Sequence, residues 1–441
     1  MTTRSYSANF SKKQLFLLSF PVFFSNLAIP FAGIIDTGLM GNLGETKFLA
    51  STSIASSVMT MIIWSFGFLR MGTVGIVAQL YGKSDYREIT KTILRNFLIA
   101  VVISITLILF KPLILQLIEQ FFLVSSETKE LIKIYVSVRI LSVPAELILY
   151  ILIGFYLGIQ KTNISSLIII TMSAINIVLS SFFVLSLDLN VFGVALGTLI
   201  ASYITLFIFC FFTYRYILKK FQIIPTFQKI IVISKFFKLL TINFDLFLRT
   251  LVLTFSFLWI TYLGSKLGED ILAVNTILMQ FIIFSSFFLD AYAFSTEGVV
   301  GFAIGRKNKK TFDATVKNSI QLSFFTSLII SFIFLIFFKE VVNLITDIDL
   351  LRYISYKHFI WVVLIPPVAS FCYQLDGIFV GASQTKEMRN AMMISVAMFI
   401  IISVYLVKYY GNHGLWFSLL IFMLLRSLTL KLFFNKILKK L

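Results

Sequence analysis

Twelve stretches of this chain are apolar for long enough to cross a lipid bilayer, and that leaves few folds open to it. A helix needs about 20 apolar residues to span the hydrocarbon layer. Inside lipid every backbone N–H and C=O must be satisfied within the segment, so stretches of this kind are expected as helices. The expected spans are residues 15–40, 48–80, 93–118, 131–157, 164–187, 191–217, 240–264, 271–304, 318–338, 351–382, 390–409 and 414–434. Charged residues make up 13% of the chain, where a soluble domain carries about 25%. The expected fold class is an all-α integral membrane protein with twelve transmembrane helices. The first span runs well past the length of a signal-peptide core and has no small-residue cleavage site, so it is expected to stay in the mature protein. Cys210 and Cys372 both lie inside spans, which supports neither a disulfide framework nor a paired-cysteine metal site.

The second half of the chain repeats the first at an offset of about 223 residues. Pro144, Tyr150, Leu152, Gly154, Gly158 and Thr162 fall opposite Pro367, Tyr373, Leu375, Gly377, Gly381 and Thr385 without a gap. Gly82 falls opposite Gly305, and a small slip aligns Gly193 with Gly414. Two copies of an apolar unit, each roughly half the protein, point to a transporter with its site between the halves. The expected domains are an N-lobe over 1–217 (spans 1–6), a linker over 218–238 and a C-lobe over 239–441 (spans 7–12). An even number of spans per copy makes the two six-helix lobes parallel repeats about a pseudo-two-fold axis along the membrane normal.

The net charge of +18 reads as topology and not as a nucleic-acid surface. Arg4, Lys12 and Lys13 precede span 1, Lys83, Arg87, Lys91 and Arg95 follow span 2, and Lys219, Lys220, Lys229, Lys235 and Lys238 surround the middle link. Arg306, Lys307, Lys309, Lys310, Lys386, Arg389, Lys436, Lys439 and Lys440 continue on the same side. The alternate loops hold Glu45, Glu119, Glu127, Asp188, Glu269, Asp270, Glu340, Asp347 and Asp349. By the positive-inside rule both termini are expected in the cytoplasm. Pro225 and the mixed Lys/Ile/Phe composition of the link suggest a stretch lying on the membrane surface.

An ionisable side chain in hydrocarbon costs about 2.5–3.5 kcal/mol, so each needs a partner, a cavity or a function. Asp36 sits toward the end of span 1, downstream of Pro21 and Pro30. Each proline removes a ladder hydrogen bond and marks a place where the helix can hinge. Burial favours a neutral carboxyl and a nearby cation a charged one, so a proton, a sodium ion or a cationic solute can compete for Asp36. The simpler reading is a carboxylate paired for good with a structural arginine. Asn176 and Ser180 share a face of span 5, and Thr198 follows two close-approach glycines, Gly193 and Gly197, in span 6. Taken alone, these three read as ordinary interhelical hydrogen-bonding groups. Arg70, Arg249, Asp290, Glu297 and Asp376 are the other charges at depth, and ion binding and structural pairing remain equal readings for them. His358 and His413 are expected at or near the membrane surface. There is no GxxxxGK[ST], HExxH or GxSxG sequence, so ATP-driven transport and the common hydrolytic mechanisms lack support.

These residues resemble the multidrug and toxic compound extrusion (MATE) transporters, within them the bacterial DinF-type branch. The likeness rests on Pro21 through Gly44 with Pro30, Asp36-Thr37 and Gly41; on Phe68-Leu69-Arg70-Met71-Gly72-Thr73; on Leu289-Asp290 through Glu297; and on Gln374-Leu375-Asp376-Gly377. It implies two six-helix lobes that alternate between inward- and outward-open states and export substrate against inward-moving protons or sodium. The ion and drug site it implies lies in the N-lobe, on Asp36, Asn176 and Thr198. Ser180 departs from the branch, which usually has a second aspartate there, and Ala291 replaces a glycine after the span 8 aspartate. The expected protein is a multi-pass transporter of a bacterial inner membrane, not an enzyme. It is expected to act as a monomer without cofactor, with sodium at Asp36 its only metal, and its partners are small organic substrates and membrane lipids. Two rivals stand beside the antiporter: a lipid or amphipathic-metabolite flippase using Arg70, Arg139 and Arg249, and an intramembrane transferase using Asp290 and Glu297.

Overall fold

A computed structural model of the chain describes residues 10–122, 124–223 and 232–441. Arg4, Pro225 and Lys229, and with them the middle of the expected interfacial link, lie outside the described residues. Among those described, all regular structure is helical. The first half holds α1 (Lys12–Gly41), α2 (Thr46–Ser65), α3 (Phe68–Gly82), α4 (Tyr86–Leu109), α5 (Lys111–Phe121), α6 (Ser126–Arg139), α7 (Val143–Gly158), α8 (Thr162–Leu185) and α9 (Asn190–Tyr216). The second holds α10 (Ile233–Lys266), α11 (Glu269–Gly305), α12 (Lys309–Ile345), α13 (Asp349–Gly381), α14 (Thr385–Phe433) and the short α15 (Asn435–Leu438).

Local chemistry sets several boundaries. Asp85, Ser125 and Asn308 cap α4, α6 and α12 by accepting from the amides of Glu88, Thr128 and Thr311, groups that a first turn leaves open. Among the described residues, eleven helical stretches are long and apolar enough to cross a membrane. The last, Thr385–Leu438, is two spans in one, because Gly411 inside it has φ 55° and ψ −133°. With that break counted, the twelve expected spans are all present. The expected span 93–118 is broken at Phe110, where Pro112 opens α5, since proline fits a first turn better than a helix interior. Span 2 is interrupted at Phe66–Gly67. Span 4 passes through a 3-10 turn at Ile140–Ser142 before Pro144. In contrast α1 runs unbroken through Pro21 and Pro30.

The chain divides into two compact units. One comprises Phe24–Leu240, the other Thr241–Leu441 together with the described residues up to Phe23. The start of α1 therefore groups with the second-half helices, where the sequence places it in a lobe over 1–217. The packing explains this: Phe10 and Leu15 form a buried cluster with Val299, Asn318 Nδ2 donates to the Phe10 carbonyl at 2.6 Å, and Phe23 meets Tyr292 edge-on at 5.1 Å.

The sequence repeat is also a repeat of helix contacts. In the first unit α7 crosses α3 at Gly154, where a Cβ would lie 2.6 Å from the Arg70 carbonyl oxygen. In the second α13 crosses α11 at Gly377, where a Cβ would lie 2.7 Å from the Ala293 carbonyl oxygen. Both members of the second pair stand 223 residues after the first. Gly158 over Val74 and Gly381 over Glu297 continue the two crossings one turn further. Glycine is required at these points because the backbones themselves are in contact.

Candidate functional site

The last two turns of α1 carry Asp36 to a cluster built by α8 and α9. Those two helices meet at Gly197, where a Cβ would sit 2.6 Å from Ser180 Oγ, so the glycine admits the serine. Asn176 Nδ2 donates to Thr198 Oγ1 at 2.8 Å and to Ser180 Oγ at 3.3 Å. Thr198 passes its own proton to the Val194 carbonyl at 3.1 Å. Ser180 hydrogen-bonds the Asp36 carboxyl, and the charge of Arg139 acts on it. All four N-lobe residues singled out in the sequence are thus brought together. Asp36 Oδ1 is nevertheless buried with no hydrogen-bond partner.

The same neighbourhood holds charges that the sequence did not assign to it. Arg139, at the end of α6, pairs with Glu146 of α7, through a short Nη1–Oε1 contact and Nη2 to Oε2 at 3.2 Å. Ser142, in the 3-10 turn between them, donates to Glu146 Oε1 at 2.8 Å, and Tyr135 hydrogen-bonds Arg139. The break in span 4 is what lets α6 and α7 turn both groups toward one another. One sequence signal was present: Glu146 interrupts the apolar run after Pro144, seven residues from Arg139.

The second unit treats its deep charges differently. Asp376 accepts Arg249 Nη2 and, at 2.7 Å, Arg426 Nη2 on the same oxygen, Oδ2. Arg426 lies between the Tyr373 and Phe422 rings, 5.8 Å from each centroid. Asp290 is close enough for its charge to act on Tyr373 and Cys372. Glu297 and Arg70 are buried, on α11 and α3. Asn275 joins the kink at Gly411 to the core, accepting from Trp416 Nε1 at 2.8 Å and donating to Asn412 Oδ1 at 2.9 Å. His413 is exposed, as expected of a surface histidine, but His358 is buried. Its ring stacks on His413 at 4.2 Å and its Nδ1 bonds the Ile354 carbonyl, which shields it from solvent.

Charge and hydrogen-bonding capacity placed deep inside an apolar helical bundle mark a membrane transporter, since a chain that only had to cross the bilayer gains nothing from them. The chain belongs to the MatE family, whose model matches residues 21–182 and again residues 246–407. The two matches start and end 225 residues apart, so the family unit itself occurs twice. The DNA damage-inducible protein F of Escherichia coli is 32% identical over 95% of this chain and 91% of its own. Multidrug export protein MepA of Staphylococcus saprophyticus is 24% identical over 46% of this chain and 45% of its own. An outward-facing multidrug resistance MATE family transporter of the MOP superfamily superposes with a TM-score of 0.89 at 17% identity, covering 100% of this chain and 99% of the other. A MOP superfamily transporter from Pyrococcus furiosus superposes at 0.86. The two-lobe fold is thereby shared, and the protein is a multi-pass membrane transporter.

Proposed function

We propose that this protein is a secondary active multidrug antiporter that exports apolar and cationic organic compounds in exchange for protons or sodium ions. The observation that carries this reading is the open, buried Oδ1 of Asp36. Within the cluster one line of donors runs from Asn176 to Ser180 and from Ser180 to Asp36. That polarity suits a charged carboxylate, whose free oxygen then calls for a cation. Counting Asp36, Glu146 and Arg139, the site carries one net negative charge, which one monovalent cation neutralises.

A proton, a sodium ion or the cationic group of a substrate can each fill that role, and only one at a time. Sodium would find the carboxylate oxygen with the hydroxyls of Ser180 and Thr198 and the amide oxygen of Asn176 nearby, an all-oxygen set of the kind hard cations take. Exchange follows from competition. Substrate bound to Asp36 is released when an ion arriving from the outside neutralises the carboxylate, and movement of α1 about Pro21 or Pro30 changes the side to which the site opens. One charge moving through 100 mV is worth about 2.3 kcal/mol, enough to sustain a useful substrate gradient. The names of the Staphylococcus relative and of the outward-facing structural neighbour agree with drug export. Asp376 is a weaker candidate for the ion, because two guanidinium groups already occupy it. The flippase reading loses two of its three arginines to carboxylates in the same way, Arg139 to Glu146 and Arg249 to Asp376.

The test is dye efflux from proteoliposomes under separately imposed proton and sodium gradients. Wild type should respond to at least one gradient, and Asp36→Asn should lose the response while staying folded. Full gradient-driven efflux by Asp36→Asn would overturn the assignment. Ser180→Asp, which adds a second carboxylate, should alter the ion dependence without abolishing transport.

A further inference from the structure

The two repeats close their basic-loop ends in the same way but with opposite charge logic. The turn before α8 and the turn before α14 both use a positive-φ residue, Gln160 at 61° and Ser383 at 48°, 223 positions apart. In each repeat the segment after the last helix returns to this turn. In the second repeat three of the cations there meet acceptors. Lys436 Nζ lies 2.9 Å from Glu387 Oε1, Lys440 Nζ donates to the Ala382 carbonyl at 3.0 Å, and Arg389 and Thr385 both hold the Asp245 carboxylate.

In the first repeat the residues 223 positions before Gln384, Glu387 and Asp245 are Lys161, Ile164 and Val22. Both acids are gone and a lysine has been added. The π-turn Ile217–Phe221 then brings Lys220 close enough for its charge to act on Lys161. Lys161 Nζ sits 4.1 Å above the Tyr216 ring. That ring is packed edge-on against Phe155, Tyr156 and Phe221, and Tyr86 stacks on Phe221 at 4.6 Å. Among the described residues no carboxylate forms an ion pair with either lysine, and the undescribed residues contain no Asp or Glu. Between Asp188 and Asp245 the chain has no acidic residue at all and six basic ones. Burial, and then repulsion from Lys220, lowers the Lys161 pKa from its ordinary value.

We propose that Lys161 and Lys220 form a phosphate-binding site at the membrane interface, which takes the headgroup phosphate of an anionic lipid or a free phosphate ion. Lys161 is half-buried and Lys220 exposed; their like charges repel until an anion joins them, and a phosphate offers oxygens to both. The aromatic floor holds the Lys161 stem in place and belongs at headgroup depth, where such rings favour the interface. Each lysine near an anionic surface contributes about 1 kcal/mol. The inference does not depend on what the transporter carries.

The experiment is a titration of the detergent-solubilised full chain with phosphatidylglycerol, with phosphatidylcholine and with inorganic phosphate, read by native mass spectrometry and by thermal unfolding. Wild type should retain phosphatidylglycerol over phosphatidylcholine, and Lys161→Gln/Lys220→Gln should bind it about 30-fold more weakly. Ile164→Glu places a carboxylate where the second repeat has Glu387. It should lose the same binding by occupying the lysines from within, which keeps the test valid if the double variant folds poorly. Lys436→Gln, whose lysine already has a carboxylate, should retain it. Stabilisation by inorganic phosphate alone, lost in the same variants, would identify the free ion as the source. Unchanged affinity for both phosphatidylglycerol and phosphate in the double variant and in Ile164→Glu would overturn the proposal.

Discussion

At the scale of single residues, the molecule separates charges that are paired from those left open. Arg139 and Glu146 form a buried pair, and removing one partner of such a pair strands the other in apolar surroundings, at a cost of about 3–5 kcal/mol. Arg139→Gln should therefore lower the unfolding temperature sharply, and Arg139→Gln/Glu146→Gln should recover much of the loss. A double variant no more stable than the single one would show that the pair is not coupled. Lys161 gives the opposite case. Its lowered pKa means that the folded state disfavours its charged form, a penalty fully present at neutral pH and relieved as pH rises through the lowered value toward that of free lysine. In lipid-free detergent, Lys161→Gln should be more stable than wild type at pH 7, with the difference shrinking at alkaline pH. Asp36 itself was legible in the sequence, because a carboxylate in a span demands explanation. Arg139 was read only as a possible cavity arginine, since nothing in one dimension places α6 beside α1.

Among the elements, close crossings and breaks carry the argument. Gly377→Ala would push a Cβ to 2.7 Å from the Ala293 carbonyl. That crossing has backbone on both sides and cannot yield cheaply, so the substitution should cost about 1–3 kcal/mol in thermal stability. Gly411→Ala should cost a similar amount for a different reason: its φ of 55° with ψ of −133° is a region that residues with a Cβ enter only under strain of about 1–3 kcal/mol. The glycines at 154, 158, 377 and 381 were readable as a repeat from their spacing. The kink at Gly411 falls in the gap expected between the spans 390–409 and 414–434, where Lys408, Asn412 and His413 interrupt the apolar run; the 3-10 turn at Ile140–Ser142 inside span 4 was not placed, because hydropathy does not register backbone direction. The unbroken course of α1 through two prolines also escapes local rules, which place a hinge at each without saying which one bends.

For the whole molecule, the two repeats share a scaffold and have divided the polar work. The first carries Arg139, Ser142 and Glu146 where the second has Val362, Ile365 and Ala369, all three buried. The second carries Arg249, Asp376 and Arg426 where the first has Asn26, Ile153 and Tyr203. The basic loops predict a cytoplasmic location for both termini. Membrane-impermeant thiol reagents should then label Asp188→Cys and Asp347→Cys in intact cells and Lys307→Cys only after permeabilisation; the reverse pattern would invert the topology. The sequence by itself determined the membrane class, the number of spans, the duplication and the presence of costly polar groups at depth, because hydrocarbon taxes each residue independently of its neighbours. Only the tertiary structure decided which of those groups meet: Asp36 with Ser180, Arg139 with Glu146, Asp376 with two arginines, and, at the basic-loop end, Lys161 with the Tyr216 ring. Pairing depends on the rotation and crossing of helices, and those are set by backbone contact at a few glycines together with the direction the chain takes at each break.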